Sequence, residues 1–384
     1  MHLGILTGGG DVPGLNPAIK AVVNEAFRLG WQVTGFRRGW AGPVNTDASD
    51  PAYSEKTHMA LTPETVRTID RSGGTFIHSS RTNPSRMKPG DVPDFVSVET
   101  KPNAEGKVDI TNHVLSVMEA MKIDVLVAIG GDDTLSYAAR LHQEGMPTMC
   151  IPKTMDNDVF GTDYCIGFST CVTRSVEMIN RLRTSAGSHE RMLFVEVFGR
   201  NCGLTALAGG YLADTDRTLI AEVPCELDRL AELLVEDRKR SSSNYTVTVV
   251  SEGASVIGEE VIERGEADAY GHKKLGGIGE RIGVGINKLT GVNIMMQNLG
   301  YLLRSGAPDA VDLIVPKNYG SMCVQLIDEG KTGLMMAVKD GRYGTQPADI
   351  STKGEHRVDV NGMYDVENYR PKIGKIEGLP MYIR

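Results

Sequence analysis

The feature that most restricts the fold of this chain is a pair of short apolar runs, each emptying into an acidic loop. Val125-Leu126-Val127-Ala128-Ile129 leads into Gly130-Gly131-Asp132-Asp133-Thr134, and Thr148-Met149-Cys150-Ile151 leads into Pro152-Lys153-Thr154-Met155-Asp156-Asn157-Asp158. Short apolar runs of this kind are the pattern of strands buried on both faces of a parallel sheet. Between them Leu135, Ala138, Ala139 and Leu141 recur at helical spacing, and Gly145 is placed to stop that helix. The order strand, loop, helix, strand, loop predicts that both acidic loops leave the same carboxyl edge of the sheet. Ligands of open α/β sheets bind at that edge. Asp132, Asp133, Asp156, Asp158, Lys153 and a glycine pair should therefore converge on one crevice.

The same alternation runs through the chain. Leu3–Thr7 and Gln32–Phe36 read as strands, Thr62 to Ile69 as a capped helix, and Gly73 to Ile77 as a strand edge. Residues 84–108, rich in Pro, Lys, Asp and Glu, read as a surface loop, and Ile110 to Met121 as a helix. Further on, helices are expected over Cys171–Arg183, Ala206–Leu212, Leu227–Arg238 and Glu280–Leu289. Strands are expected over Arg191–Val197, Leu219–Val223, Tyr245–Val250 and Ile294–Leu299, with Ile257–Gly277 irregular. The turn 300–308 leads to a last helix, and the polar tail after Tyr343 should pack on the surface. At 384 residues this alternation predicts an α/β protein of two doubly wound domains.

Charge and cysteine usage narrow the functional classes. A net charge of −8 argues against general nucleic-acid binding. The six cysteines show no metal-ligand spacing and several sit in apolar runs, as buried free thiols of a reducing cytoplasm do. The chain enters a strand at once, without a signal-like segment, and holds no apolar run long enough to span a bilayer. A cytoplasmic protein with no membrane partner is expected.

Three loops bear on chemistry. Gly8-Gly9-Gly10-Asp11-Val12-Pro13-Gly14 lies between a strand and a helix that Asn16 is suited to cap, with Pro17 at its first position. Glycines there let backbone amides approach a phosphate, although the spacing fits neither the dinucleotide fingerprint nor the Walker loop. Arg81, after Ser79 and Ser80, is placed to reach a phosphate. With the two acidic loops these features fit phosphoryl transfer, which needs Mg²⁺ on one or two carboxylates, a base at the attacking hydroxyl and cations on phosphate oxygens. Asp132 is the candidate for Mg²⁺, Asp156 for the base, and Thr154 for a hydrogen bond to the moving phosphoryl group. The competing structural reading makes these aspartates helix caps and Asx-turns, which serves any one of them better than the set.

Thr7 to Asn16, the Gly-Gly-Asp-Asp-Thr loop, Pro152 to Asp158 and Val195-Glu196-Val197-Phe198-Gly199-Arg200 together resemble the 6-phosphofructokinase family in order and spacing over roughly residues 1–325. The resemblance implies two Rossmann-like domains with mainly parallel sheets. Residues 1–167 and about 304–355 would bind the phosphoryl donor and Mg²⁺, about 168–303 the sugar phosphate, and 356–384 would form a C-terminal extension. It implies that Gly9 contacts the donor and Asp132 serves the metal, and that Thr154 to Asp156 contain the base. Arg191, Phe198, Gly199, Arg200 and Glu222 would bind the sugar phosphate. Arg191 would reach a neighbouring subunit's site, hence a homodimer or homotetramer.

Asp133 and Lys153 are the pair that the resemblance associates with pyrophosphate-dependent members. A carboxylate at 133 would repel a nucleotide's α-phosphate, and Lys153 offers a cation to the pyrophosphate leaving group. The implied reaction is reversible phosphorylation of fructose 6-phosphate at its 1-hydroxyl, in glycolysis and gluconeogenesis. The family's late Gly-His-x-x-Arg-Gly-Gly-x-Pro turn has two candidates here. Gly271 to Gly277 keeps the histidine, His272; Gly300 to Pro308 keeps Arg304 and a proline, with Tyr301 in place of histidine. The second is preferred, since an arginine fork binds a phosphate. Met295 and Phe198 depart from the family's arginine and methionine, which leaves sedoheptulose 7-phosphate open as the acceptor. An ATP-dependent kinase of the same fold and a silent sugar-phosphate sensor are the competing readings. The sensor predicts lost carboxylates, and Asp132, Asp156 and Asp158 are all present.

Overall fold

A computed structural model describes residues 1–51, 54, 56–98, 101–258, 263–264, 274–374 and 376–377. The chain opens with β1 (His2–Thr7), α1 (Leu15–Arg28), β2 (Gln32–Phe36) and β3 (His58–Leu61). There follow α2 (Thr111–Ala120), β4 (Val125–Gly130), α3 (Asp132–Gln143) and β5 (Thr148–Pro152). Its middle holds α4 (Phe168–Ser188), β6 (Met192–Val197), α5 (Leu204–Leu212), β7 (Arg217–Leu219), α6 (Leu227–Arg240) and β8 (Thr246–Ser251). It continues with α7 (Ile278–Thr290), β9 (Ile294–Asn298), α8 (Val311–Asp328), β10 (Leu334–Lys339) and β11 (Arg342–Pro347).

Two sheets organise these elements. The larger has the order β11-β10-β5-β4-β1-β2-β3, parallel from β10 to β2 and antiparallel at both edges. The smaller, β9-β6-β8-β7, is parallel throughout. The fold is thus α/β with mainly parallel strands. Every residue of β4 and β5 is buried, as their apolar composition requires, and α1 and α3 cover opposite faces of the sheet. Register brings the carboxyl ends level: Thr7 lies opposite Ile129, and Ile129 opposite Ile151. In the second sheet Glu196 lies between Val250 and Asn298. The glycine loop and both acidic loops leave one edge together, and the loops after Val197 and Ser251 leave the other.

Several expectations are corrected. Residues 62–69 form turns that end in a 3₁₀ segment, Ile69–Arg71, because the stretch is too short to sustain a helix. Residues 73–77 form no strand; Asn16, rather than capping α1, holds this stretch by accepting from the Phe76 amide and donating to the Ser72 and Gly73 carbonyls. The strand expected over 219–223 ends at Leu219. The tail is no surface layer: β11 completes the large sheet, and Met363, Tyr364 and Tyr369 are buried, with Thr218 donating to the Tyr369 carbonyl. Residues 271–273, including His272, lie outside the described residues. Among those described, no helix is long and apolar enough to cross a membrane.

Candidate active site

The site is built where the two carboxyl edges face each other across a cleft of about 850 Å³. From the large-sheet side Gly9, Gly10, Asp11, Ser79, Ser80 and Arg81 line it; from the other side come Phe198, Arg200, Glu252, Asn298, Tyr301 and Arg304. The glycine loop is held from behind. Gly8 donates to the Ile129 carbonyl and Gly9 to that of Ser80, each at 2.9 Å. A Cβ on Gly8 would sit 2.3 Å from the Thr134 hydroxyl, so the loop reaches α3 only without a side chain.

Lys153 is 4% exposed and its ammonium donates to the Gly10 carbonyl at 2.7 Å. It therefore stands directly behind the glycine loop. Burial, and the Arg304 and Arg81 charges, lower its pKa to about 8 against the opposing pull of Asp158 and Asp11. Asp132 and Asp133 open the first turn of α3, where a helix terminus favours negative charge. Asp132 keeps an exposed edge while protein crowds its other sides. That crowding, with Asp158 and Asp133 nearby, pushes its pKa up to about 7.

The second acidic loop turns back on itself. Asp156 donates its amide to the Thr154 hydroxyl at 3.2 Å, and Asn157 takes a left-handed φ of 55°. Asn157 is fully buried: its side chain accepts from the Cys165 amide at 2.7 Å and donates to the Asp163 carbonyl at 3.0 Å. Asp156 has one carboxylate oxygen, Oδ1, shut off from solvent with no hydrogen-bond partner. Burial raises its pKa well above the ordinary value, and Asp158 and Glu252 add to the rise, opposed by the amide and guanidinium of Arg200. A carboxylate of one sheet edge is thus electrostatically tied to an arginine and a glutamate of the other.

The facing loops pack on each other. Ser251 donates its hydroxyl to the Gly199 carbonyl at 2.6 Å, and the Gly253 amide donates to the same carbonyl at 3.1 Å. Gly199 has φ 131°, and a Cβ on Gly253 would lie 1.9 Å from the Arg200 carbonyl, so both positions require glycine. Glu252 lines the cleft, and burial raises its pKa to about 7 against the pull of Arg200. Arg304 spans the opening. Its guanidinium is 4.5 Å from the Tyr301 ring and 5.9 Å from that of Phe198, while its Nε is 3.5 Å from Asp11.

Of the residues singled out in the sequence, Gly9, Arg81, Phe198, Arg200, Tyr301 and Arg304 line the cleft. Asp132, Lys153, Asp156 and Gly199 sit on the loops that frame it, with Asp133 and Thr154 beside them. Two are elsewhere. Glu222 does not line the cleft: its carboxylate accepts from the amides of Gly203 and Val358, each at 3.0 Å. Arg191 precedes β6 at the strand's amino end, on the edge away from the cleft. Glu252 is the acidic residue that the sequence reading passed over. Its signal was close to the one used for Asp132, a carboxylate just after a β-branched strand that is buried throughout.

Fold and site define a two-lobed α/β protein that collects carboxylates, arginines and a glycine loop between two parallel sheet edges. The Phosphofructokinase family model matches residues 2–327. A pyrophosphate–fructose 6-phosphate 1-phosphotransferase of Amycolatopsis mediterranei is 38% identical over 88% of this chain and 91% of its own length. An ATP-dependent 6-phosphofructokinase of Chloroflexus aurantiacus is 34% identical over 90% of this chain and 89% of its own. Among solved structures, a pyrophosphate-dependent phosphofructokinase from Marinobacter aquaeolei superposes with a TM-score of 0.76 at 18% identity, covering 97% of this chain and 88% of that one. The chain belongs to the phosphofructokinase family, whose members are phosphotransferases.

Proposed function

We propose that this protein transfers a phosphoryl group reversibly between pyrophosphate and the 1-hydroxyl of fructose 6-phosphate. The observation that supports the donor assignment is the buried Lys153 ammonium fixed on the Gly10 carbonyl, which sets a cation against the glycine loop expected to receive inorganic phosphate. Asp133, at the head of α3, adds negative charge where a nucleotide's α-phosphate would have to pass. Relatives bearing either donor's name differ by only a few per cent in identity, so these two residues are the better guide.

Asp156 is the general base. Its raised pKa and unpartnered buried oxygen suit a group that takes a proton from a sugar hydroxyl and returns it in the reverse direction. Arg200, Arg304 and Glu252 would hold the sugar phosphate, and Gly9 and Arg81 the donor. Mg²⁺ fits this site. Asp132, Asp133 and Asp158 repel one another, a conflict that a divalent cation relieves. No cage of three ligands exists among the described residues, and Mg²⁺ bound through one carboxylate, waters and phosphate oxygens does not need one. Asp132 would hold the ion, which when bound offsets charge on the phosphate oxygens. The six cysteines are buried free thiols, which fits the reducing cytoplasm where glycolysis runs.

The deciding measurement is turnover of fructose 6-phosphate and sedoheptulose 7-phosphate with pyrophosphate or ATP, Mg²⁺ present. Fructose 6-phosphate with pyrophosphate should be fastest. A higher rate with ATP would overturn the donor assignment, and a higher rate with sedoheptulose 7-phosphate the acceptor.

A further inference from the structure

The chain continues past residue 327, where the match to the family model ends. After β11 it passes beneath the second acidic loop, with Ile350 against Gly161 and Gly354 against Phe160, and then crosses to the smaller sheet. At the crossing His356 Nδ1 lies 2.6 Å from the Asn157 carbonyl. Two residues on, the Val358 amide donates to Glu222, the carboxylate that also accepts from Gly203 at the end of the Phe198-Gly199-Arg200 loop. Beyond that, the Tyr364 hydroxyl donates to the Thr218 carbonyl at 2.6 Å and Arg217 donates to that of Asn368 at 2.6 Å.

We propose that His356 is a positioning residue for the catalytic loop, and that residues 350–358 set the distance between Asp156 and the sugar-side loop. Asn157 sits between Asp156 and Asp158 in a left-handed conformation, which asparagine adopts more readily than other side-chain-bearing residues, and its buried side-chain bonds hold it there. Its side chain is fixed from the Cys165 side, and the remaining handle on that peptide is the carbonyl facing His356. Because a carbonyl only accepts, His356 must carry its proton on Nδ1. The same strap holds Glu222, and through it Gly203, so base and sugar loop are referenced to one segment. Loss of the His356 bond lets the Asn157 peptide rotate and moves the Asp156 carboxyl off line.

The proposal rests on Asp156 being the base of the proposed reaction, and its test separates the two. Asparagine places an N–H where histidine has Nδ1, whereas glutamine places one where histidine has Nε2. His356→Ala and His356→Gln should lower kcat about tenfold with KM for both substrates within about twofold, while His356→Asn keeps most of the activity. Amide exchange at Cys165, measured by mass spectrometry or NMR, should quicken in the Ala and Gln variants and not in the Asn variant. Wild-type kcat in His356→Ala, or equal loss in the Asn and Gln variants, overturns the proposal. Should the Ala variant fold poorly, the Asn and Gln pair decides alone. If the wild type turns over with neither donor, the functional reading falls, while the exchange result still tests the positioning of the loop.

Discussion

In the proposed reaction Asp133 and Lys153 carry the choice of donor, and each can be changed without touching Asp156. Two like charges about 4 Å apart at an effective dielectric of about 20 cost about 4 kcal/mol. Even after screening, removal of the Asp133 carboxylate should favour a nucleotide by an order of magnitude. Asp133→Gly is therefore expected to raise the ratio of ATP to pyrophosphate turnover by about tenfold or more, with Lys153→Gly adding to it. An unchanged ratio in steady-state assays with both donors would place donor selection elsewhere. The residues legible in the sequence, Asp132, Lys153 and Asp156, share one property: each follows a fully buried strand, so its place beside the cleft follows from topology. Glu222 misled because it follows β7, a strand of three residues, and its carboxylate is used up by two backbone amides. Arg304 was legible as a residue of the cleft. Its contact with Asp11, across the cleft from its own loop, depends on packing that no local pattern encodes.

Asp312 of α8 shows how elements are joined. Fully buried, it accepts from the Tyr164 hydroxyl at 2.7 Å, the amides of Gly167 and Thr170 at 2.7 and 2.9 Å, and the Thr170 hydroxyl at 2.6 Å. The free amides at the start of α4 are thereby capped by a side chain from α8. Burial outweighs these bonds and raises its pKa to about 6. The sign of the pH effect follows. Between the unfolded value near 4 and about 6, the folded protein keeps a proton that the unfolded chain has lost, so this group's contribution to stability falls as pH rises. Against Asp312→Asn, which does not titrate, the wild type's margin in urea unfolding should narrow by about 3 kcal/mol from pH 4 to pH 6 and then stay flat. A margin that widens with pH would mean that the bonds outweigh burial. Elements, too, were unequally legible. Runs rich in β-branched and apolar residues such as Val125–Ile129 and Tyr245–Val250 declared themselves, whereas β10 and β11 were overlooked. The clue was Asp340-Gly341, whose φ values of 50° and 73° form the two-residue hairpin turn between them. Residues 62–69 had the opposite fault, a capping pattern with too little helix behind it.

At the scale of the whole molecule, Arg191 poses the question that one chain cannot answer alone. It sits at the amino end of β6, seven residues before Phe198, and at about 3.3 Å per residue that is about 23 Å from the cleft its own chain forms. An arginine on that edge can serve a sugar phosphate only if a second copy brings its cleft there, and closed symmetric assemblies arrange such reciprocal exchanges. Arg191→Ala should then raise KM for the sugar phosphate more than it lowers kcat, while Asp156→Asn should abolish turnover and leave the fold intact. Mixing the two distinguishes a shared site from a long-range structural effect. In a mixed dimer one cleft has both lesions, and the other combines an intact Asp156 with the Arg191 of its partner. Unfolding and refolding the variants together at equal amounts should therefore restore roughly a quarter of the wild-type rate at low substrate, since about half the dimers are mixed and each has one complete site. If the mixture is no more active than the average of its parts, Arg191 does not act across a subunit boundary, and its position on the far edge needs another explanation.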